Sequence, residues 1–190
     1  MLLKRAKTLR ILDFDIENRP LSYLGSDFTT AEITAIAWSW YGETKVHCRL
    51  LEPTDEMSNY TMLLEFVDAY DQADVVTGHY IRNHDLPIIN GSLMELELKP
   101  LDEKLSSDTK NDLLKRSGVS ASQESLSGMY GLKEPKYHMS QPRWREANRL
   151  TPEGLEQTRK RVTEDVKQHK ALRARLIENE MLGPPRVWRP

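Results

Sequence analysis

Apolar and polar positions alternate sharply from residue 9 to residue 17. Leu12, Phe14 and Ile16 point one way and Asp13, Asp15 and Glu17 the other, which is the period of two of a half-buried strand. Asn18-Arg19-Pro20 ends it. Residues 32–41 read as a second strand carrying Ile33, Ile36 and Trp38, and Gly42-Glu43 then turns the chain into a third strand over 45–52. Apolar positions next fall at helical spacing over 60–72, at Leu63, Leu64, Phe66, Val67 and Tyr70. Residues 75–78 form a short buried strand. A helix follows over 86–98, with Asp85 placed to cap it and Pro87 in its first turn.

The pattern is weaker beyond residue 100. It predicts a short strand at 105–107, short helices over 109–116 and 123–129, and a loop over 133–143. Thr151-Pro152 has the cap-then-proline form of a helix start. The long helix it opens runs to about residue 181, with Leu155, Val162, Val166, Leu172 and Leu176 as its apolar stripe, and Gly183-Pro184-Pro185 stops it. The order of strands and helices implies one α/β domain, a mixed sheet with helices packed on it. Its expected bounds are residues 1–182, with 183–190 as a tail.

Composition narrows the class. A chain of 190 residues with 38% hydrophobic and 29% charged residues suits one globular domain. It has no apolar run of membrane-spanning length, and no apolar stretch follows the basic residues 1–7, so no membrane and a cytoplasmic setting are expected. The single cysteine, Cys48, excludes an internal disulfide and a cysteine-rich zinc site, and reads as a small core residue. The net charge of -2 conceals an uneven split. From Lys133 onward there are 14 basic and 8 acidic residues, against 13 and 21 before it. An acidic body with a basic final third could divide metal ligands from phosphate contacts, or the basic third could be a solvated helix.

Asp15 and Glu17, two apart on a strand, emerge on one face. Buried carboxylates need a compensating charge, and a hard cation such as Mg²⁺ or Mn²⁺ takes oxygen ligands. Asp13 shares that face, so Asp13 and Asp15 are the alternative pair. Asp15 and Glu17 are preferred because they lie at the carboxyl end of the strand. Asp165 falls between Val162 and Val166, close to the face the long helix buries, with a salt bridge to Arg161 or His169 as its simpler explanation. Asp85 and Asp108 both have the simpler reading of helix caps.

Three segments in order then carry a family resemblance. They are Phe14-Asp15-Ile16-Glu17, Thr77-Gly78-His79 through Asp85-Leu86-Pro87, and Glu164-Asp165-Val166. Over residues 9 to 177 the chain resembles the DEDD 3′–5′ exonucleases, and looks most like the proofreading exonuclease domain of B-family DNA polymerases and their free-standing DnaQ-like relatives. The resemblance implies an RNase H-like fold and a free-standing exonuclease. It implies that Asp15, Glu17, Asp85 and Asp165 are the catalytic carboxylates, binding two Mg²⁺ or Mn²⁺ ions. It implies single-stranded or frayed 3′ ends of DNA, or RNA, as substrate, in replication or repair beside a replication-protein partner.

The sequence departs from the family pattern in three places. Where the family puts a Tyr four residues, or a His five residues, before the last Asp, this chain has Arg161 and Lys160. The water-orienting role is open to His138, Tyr137 or His169, or Arg161 contacts phosphate instead. Tyr80 stands where Asn is common, and His84 where Phe is. Tyr80, His79, Arg161 and Trp144 are the candidate substrate contacts, with Arg143, Arg145, Arg149 and Lys160 to hold phosphates. The rival readings are a catalytically weak nucleic-acid-binding or polymerase-partner protein, and a structure-specific endonuclease using the same carboxylates.

Overall fold

A computed structural model describes residues 9–21, 29–114, 117–133 and 137–190. Its elements run β1 (Ile11–Pro20), β2 (Ala31–Trp40), β3 (His47–Leu50), α1 (Ser58–Gln72), β4 (Val75–Gly78), α2 (Asp85–Glu95), β5 (Lys104–Asp108), α3 (Gln123–Met129), α4 (Gln141–Asn148), α5 (Pro152–Glu178) and β6 (Arg186–Trp188). The strands form one mixed sheet in the order β3-β2-β1-β4-β5-β6. The first three strands are an antiparallel meander, β4 and β5 run parallel to β1, and β6 returns antiparallel to β5.

The alternation along β1 becomes two chemically different faces. Leu12, Phe14 and Ile16 join Ile36 and Trp38 in a core closed by Leu63, Phe66 and Tyr70 of α1 and Ile89 and Leu93 of α2. The Phe14 and Phe66 rings lie 5.0 Å apart, and Trp38 meets Phe66 edge-on. Each such side chain contributes about 1.5–3 kcal/mol on burial. On the opposite face Ala35 and Ala37 of β2 offer only methyl groups. That small relief lets Val162 and Val166 of α5 sit directly on the sheet. Lys170 fastens the same helix, donating to Ser39 Oγ at 2.7 Å and to the carbonyls of Trp40 and Glu43. α5 therefore lies across the acidic face of β1.

Several expectations need correction. Residues 109–114 form turns rather than a helix, with Leu113 bridged to Leu182. Buried Asp108 and Asp112 accept the local backbone N–H groups and set this path. The end of that expected helix, residues 115–116, and residues 134–136 of the expected loop lie outside the described residues, as do residues 1–7. Residues 133 and 137–140 are loop as expected, but the last three of the span, 141–143, begin α4, which buries only Ala147. Residues 186–188, read as part of a tail, add β6 to the sheet and bury Trp188. Asp85 is the first residue of α2 rather than its cap, and the cap position is His84. Thr151 does cap α5, accepting from Gly154 N at 3.0 Å. No described helix is long and apolar enough to cross a membrane.

Candidate functional site

β1 and β4 are neighbouring parallel strands whose carboxyl ends open into one crevice, the usual place for a site in an open α/β sheet. Gly78 makes the exit from β4 possible. A side chain there would collide with Ile81 and come 2.8 Å from Phe14 O. The chain then turns through His79 and Tyr80 into α2, and α5 covers the crevice from the acidic face of β1. The result is an open cleft of about 390 Å³.

Asp15, Glu17, Asp85 and Asp165 all line this cleft. Asp15, Glu17 and Asp165 each offer an oxygen within 4.8 Å of the others, and among the described residues this is the one such group of potential metal ligands. Asp85 lies outside that triplet. Its Oδ1 accepts from Ile16 N at 3.2 Å, which pins the start of α2 to β1. Burial pushes its carboxyl up to about 7, assisted by Asp108 and Glu17 and opposed by the backbone hydrogen bonds it accepts. Asp15 is pushed well above the usual carboxylate range, first by burial and then by Asp85, Asp165 and Glu17. Acids raised together in this way mark a place where positive charge is wanted.

Part of that charge is supplied by Arg161. Its Nε lies 3.1 Å from Glu17 Oε1 and 2.8 Å from Asp165 Oδ2. The salt bridge between Arg161 and Asp165 weighed from the sequence is thus present, inside the cleft. Asp13 is excluded from the site. Arg173 holds it with two hydrogen bonds of 3.0 Å, and His169 Nδ1 lies 3.2 Å away. Burial would raise Asp13, but His169 and Arg173 outweigh it and its carboxyl falls below the usual value. This settles which pair on β1 faces the cleft, and it places His169 away from it.

The other candidates divide. His79 and Tyr80 line the cleft, with His79 Nδ1 3.0 Å from Thr109 Oγ1. His84 also lines it, and its Nε2 lies 3.2 Å from Asn18 Oδ1. Tyr80 has φ 73, a left-handed backbone that a bulky residue adopts only under constraint. The constraint is Asp108, fully buried, which accepts from the backbone N–H groups of Tyr80, Arg82, Lys110 and Asn111. Asp108 thus caps a turn and organises the loop that presents Tyr80. Arg82, bridged to Asp112, braces the same loop. Trp144 does not line the cleft but lies behind it, its ring 5.9 Å from the Arg161 guanidinium. Tyr137 reaches Arg161 only through its backbone carbonyl. His138 is exposed and outside the cleft, with its carbonyl accepting from Arg143.

Three cleft residues had no signal in the sequence. Lys110 rests over the Tyr80 ring at 3.8 Å, and Ser122 and Gln123 enter from the start of α3. Gln123 Nε2 donates to Asp165 O at 3.0 Å, so α3 helps to fix the acidic turn of α5. A larger hollow of about 610 Å³ runs along the outer side of α2 and shares His84 with the cleft. Among the described residues it holds no comparable cluster of acids.

No family model and no curated protein matches the sequence. The fold does have solved counterparts. One is the family B DNA polymerase of the hyperthermophilic archaeon Pyrobaculum calidifontis, with a TM-score of 0.67 over 90% of this chain at 15% identity. The match covers 25% of the polymerase, so this chain spans about a quarter of that protein's length. At such low identity the likeness establishes the fold, an RNase H-like mixed sheet with a long C-terminal helix across it.

Proposed function

We propose that the chain is a metal-dependent nuclease that hydrolyses phosphodiester bonds from the 3′ end of a DNA strand, with RNA as the alternative polymer. The observation that carries this reading is the gathering of Asp15, Glu17 and Asp165 within 4.8 Å, electrostatically joined to Asp85, at the open end of an RNase H-like sheet. The donor set fits the cofactor, because all four groups are carboxylates and Mg²⁺ and Mn²⁺ are hard cations that prefer oxygen. The crowding that raises Asp15 and Asp85 is relieved by the same charge. A bound ion supplies Lewis acidity toward the phosphodiester and lowers the pKa of the attacking water.

The chain's own residues position the substrate. Tyr80, held at the mouth by Asp108, offers a ring for a terminal base, and Lys110 beside it offers a cation for a phosphate. α4 brings Arg143 and Arg145 alongside Trp144. The cleft histidines each engage a neighbour through one ring nitrogen, His79 with Thr109 and His84 with Asn18.

The test is a time course on 5′-labelled single-stranded DNA with Mn²⁺. A ladder shortening from the 3′ end is expected. Asp15→Asn should lower the rate by more than the roughly 10–100-fold that outer-shell partners of a metal cost. Internal cuts would instead indicate an endonuclease, and full activity in Asp15→Asn would sink the site assignment. A second reading, strand binding with little turnover, is favoured by the contact of Arg161 with two of the carboxylates. Retained binding without cleavage would support it.

A further inference from the structure

Arg161 stands inside the carboxylate centre, not at its rim. One nitrogen, Nε, is within 3.1 Å of Glu17 Oε1 and 2.8 Å of Asp165 Oδ2. Those are two of the three groups whose oxygens converge. The guanidinium is also held from behind. It donates from Nη1 to Tyr137 O at 3.0 Å and faces the Trp144 ring. Positions 161 and 165 are one turn apart on α5, so the helix itself fixes the pair. The side chain is 16% exposed, against 14% for Glu17 and 8% for Asp165, so solvent screens these contacts weakly.

A guanidinium keeps its proton at every working pH, so this positive charge is permanent. The four carboxylates of the cleft carry four negative charges when ionised. Arg161 leaves three. One divalent ion would reduce that to one, which the centre can hold. A second would overshoot to a net positive charge before any phosphate arrived, and would meet the guanidinium between the oxygens it needs.

We propose that Arg161 is a built-in counter-ion that takes the place of one metal, so that the free protein binds a single divalent ion rather than two. This rests on reading the four carboxylates as a divalent-metal centre, and it departs from the two-ion expectation that the family resemblance carries. It also gives Arg161 a role that the tyrosine or histidine of the family pattern could not fill, since neither is a permanent cation.

The experiment counts ions. The full chain, without nucleic acid, is titrated with Mn²⁺ while free Mn²⁺ is followed by electron paramagnetic resonance. The wild type, Arg161→Gln, Arg161→Lys and Asp15→Asn are compared, and circular dichroism checks that each variant is folded. One ion per chain is expected for the wild type and for Arg161→Lys, which keeps the charge. Arg161→Gln should take a second ion or bind its first at least about tenfold tighter, the effect of removing a nearby like charge worth about 1.4 kcal/mol. Asp15→Asn should lose binding. Two ions in the wild type would overturn the proposal and leave the nuclease reading standing. So would an Arg161→Gln variant unchanged in both number and affinity. Absence of Mn²⁺ binding in the wild type and in Arg161→Gln alike would remove the metal-centre reading together with the proposal. If Arg161→Gln does not fold, the wild-type count and the Arg161→Lys comparison still decide it.

Discussion

At the scale of single residues, β1 shows how partners rather than residue type decide a carboxylate's role. Asp13 and Asp15 sit on the same face, one pleat apart. Asp13 meets Arg173 and His169 on the later turns of α5 and becomes a structural ion pair. Asp15 meets other acids and becomes part of a cleft. Replacing Asp13 with Ala leaves a buried guanidinium without its carboxylate, and removing one partner of a buried pair costs about 3–5 kcal/mol. Urea unfolding should show that loss, and a change below about 1 kcal/mol would mean that Arg173 finds another partner. Cys48 offers a pH test away from the cleft. It packs at the edge of the Ala35, Ala37, Val162 and Val166 cluster, and burial pushes its thiol up to about 11. Below that pH the thiolate fraction rises tenfold per unit, and only the thiolate is alkylated. Iodoacetamide at pH 8 should therefore react about 100-fold more slowly with the folded chain than with the urea-unfolded one, where the value returns to 9.0. The folded state keeps its proton longer, so stability falls as pH rises from about 9 to about 11.

At the scale of elements, what could be read in advance followed from periodicity. β1, β2, β4 and α5 have strong apolar patterns, and their sequence-derived positions match the structure to within a few residues. α4 has no such pattern because it buries only Ala147, so its sequence resembles a loop. β6 is three residues long and follows two prolines, too short for any period to show. Residues 109–114 mislead because their polar groups are spent on turns around Asp108 and Asp112. In the cleft, Asp15 and Glu17 stood out because acids at strand positions are unusual, whereas Asp85 and Asp165, both on helices, were singled out through the family resemblance. The contact of Arg161 with Glu17 could not be read, because it depends on how α5 is rotated against β1. That rotation is set in part where α4 meets α5. Gly154 lies in the first turn of α5 against the backbone of Glu146, and a side chain there would overlap Glu146 O. Gly154→Ala gains helix propensity of about 1 kcal/mol but loses about 1–3 kcal/mol to the overlap. The expected outcome is a lower melting temperature, with α4 displaced from its seat against the first turn of α5. A melting temperature above wild type would show that the two helices part without cost.

At the scale of the whole molecule, the uneven charge acquires a direction. The acidic cleft and the basic α4 are adjacent, because Trp144 of α4 lies against Arg161 of the cleft. A nucleic-acid strand entering the carboxylates would thus pass Arg143 and Arg145, both exposed. Arg175 is also exposed and basic, but it lies fourteen residues further along α5, roughly 21 Å at 1.5 Å per residue, and is paired with Glu178. Arg189 is paired with Glu103 near the far edge of the sheet. The proposed reading therefore predicts that location, and not net charge, controls affinity. Binding of 5′-labelled single-stranded DNA to Asp15→Asn, which suppresses cleavage, should weaken with salt, each phosphate contact adding about 0.7 to the slope of log affinity against log salt. Removing Arg143 and Arg145 together should lower that slope by about 1.4, whatever the base sequence. Removing Arg175 and Arg189 together takes away the same charge and should leave the slope within about 0.3 of its starting value, since neither reaches a bound phosphate. Equal losses in the two double variants would mean that the strand is held by the general field of the basic third, and the path along α4 would have to be abandoned.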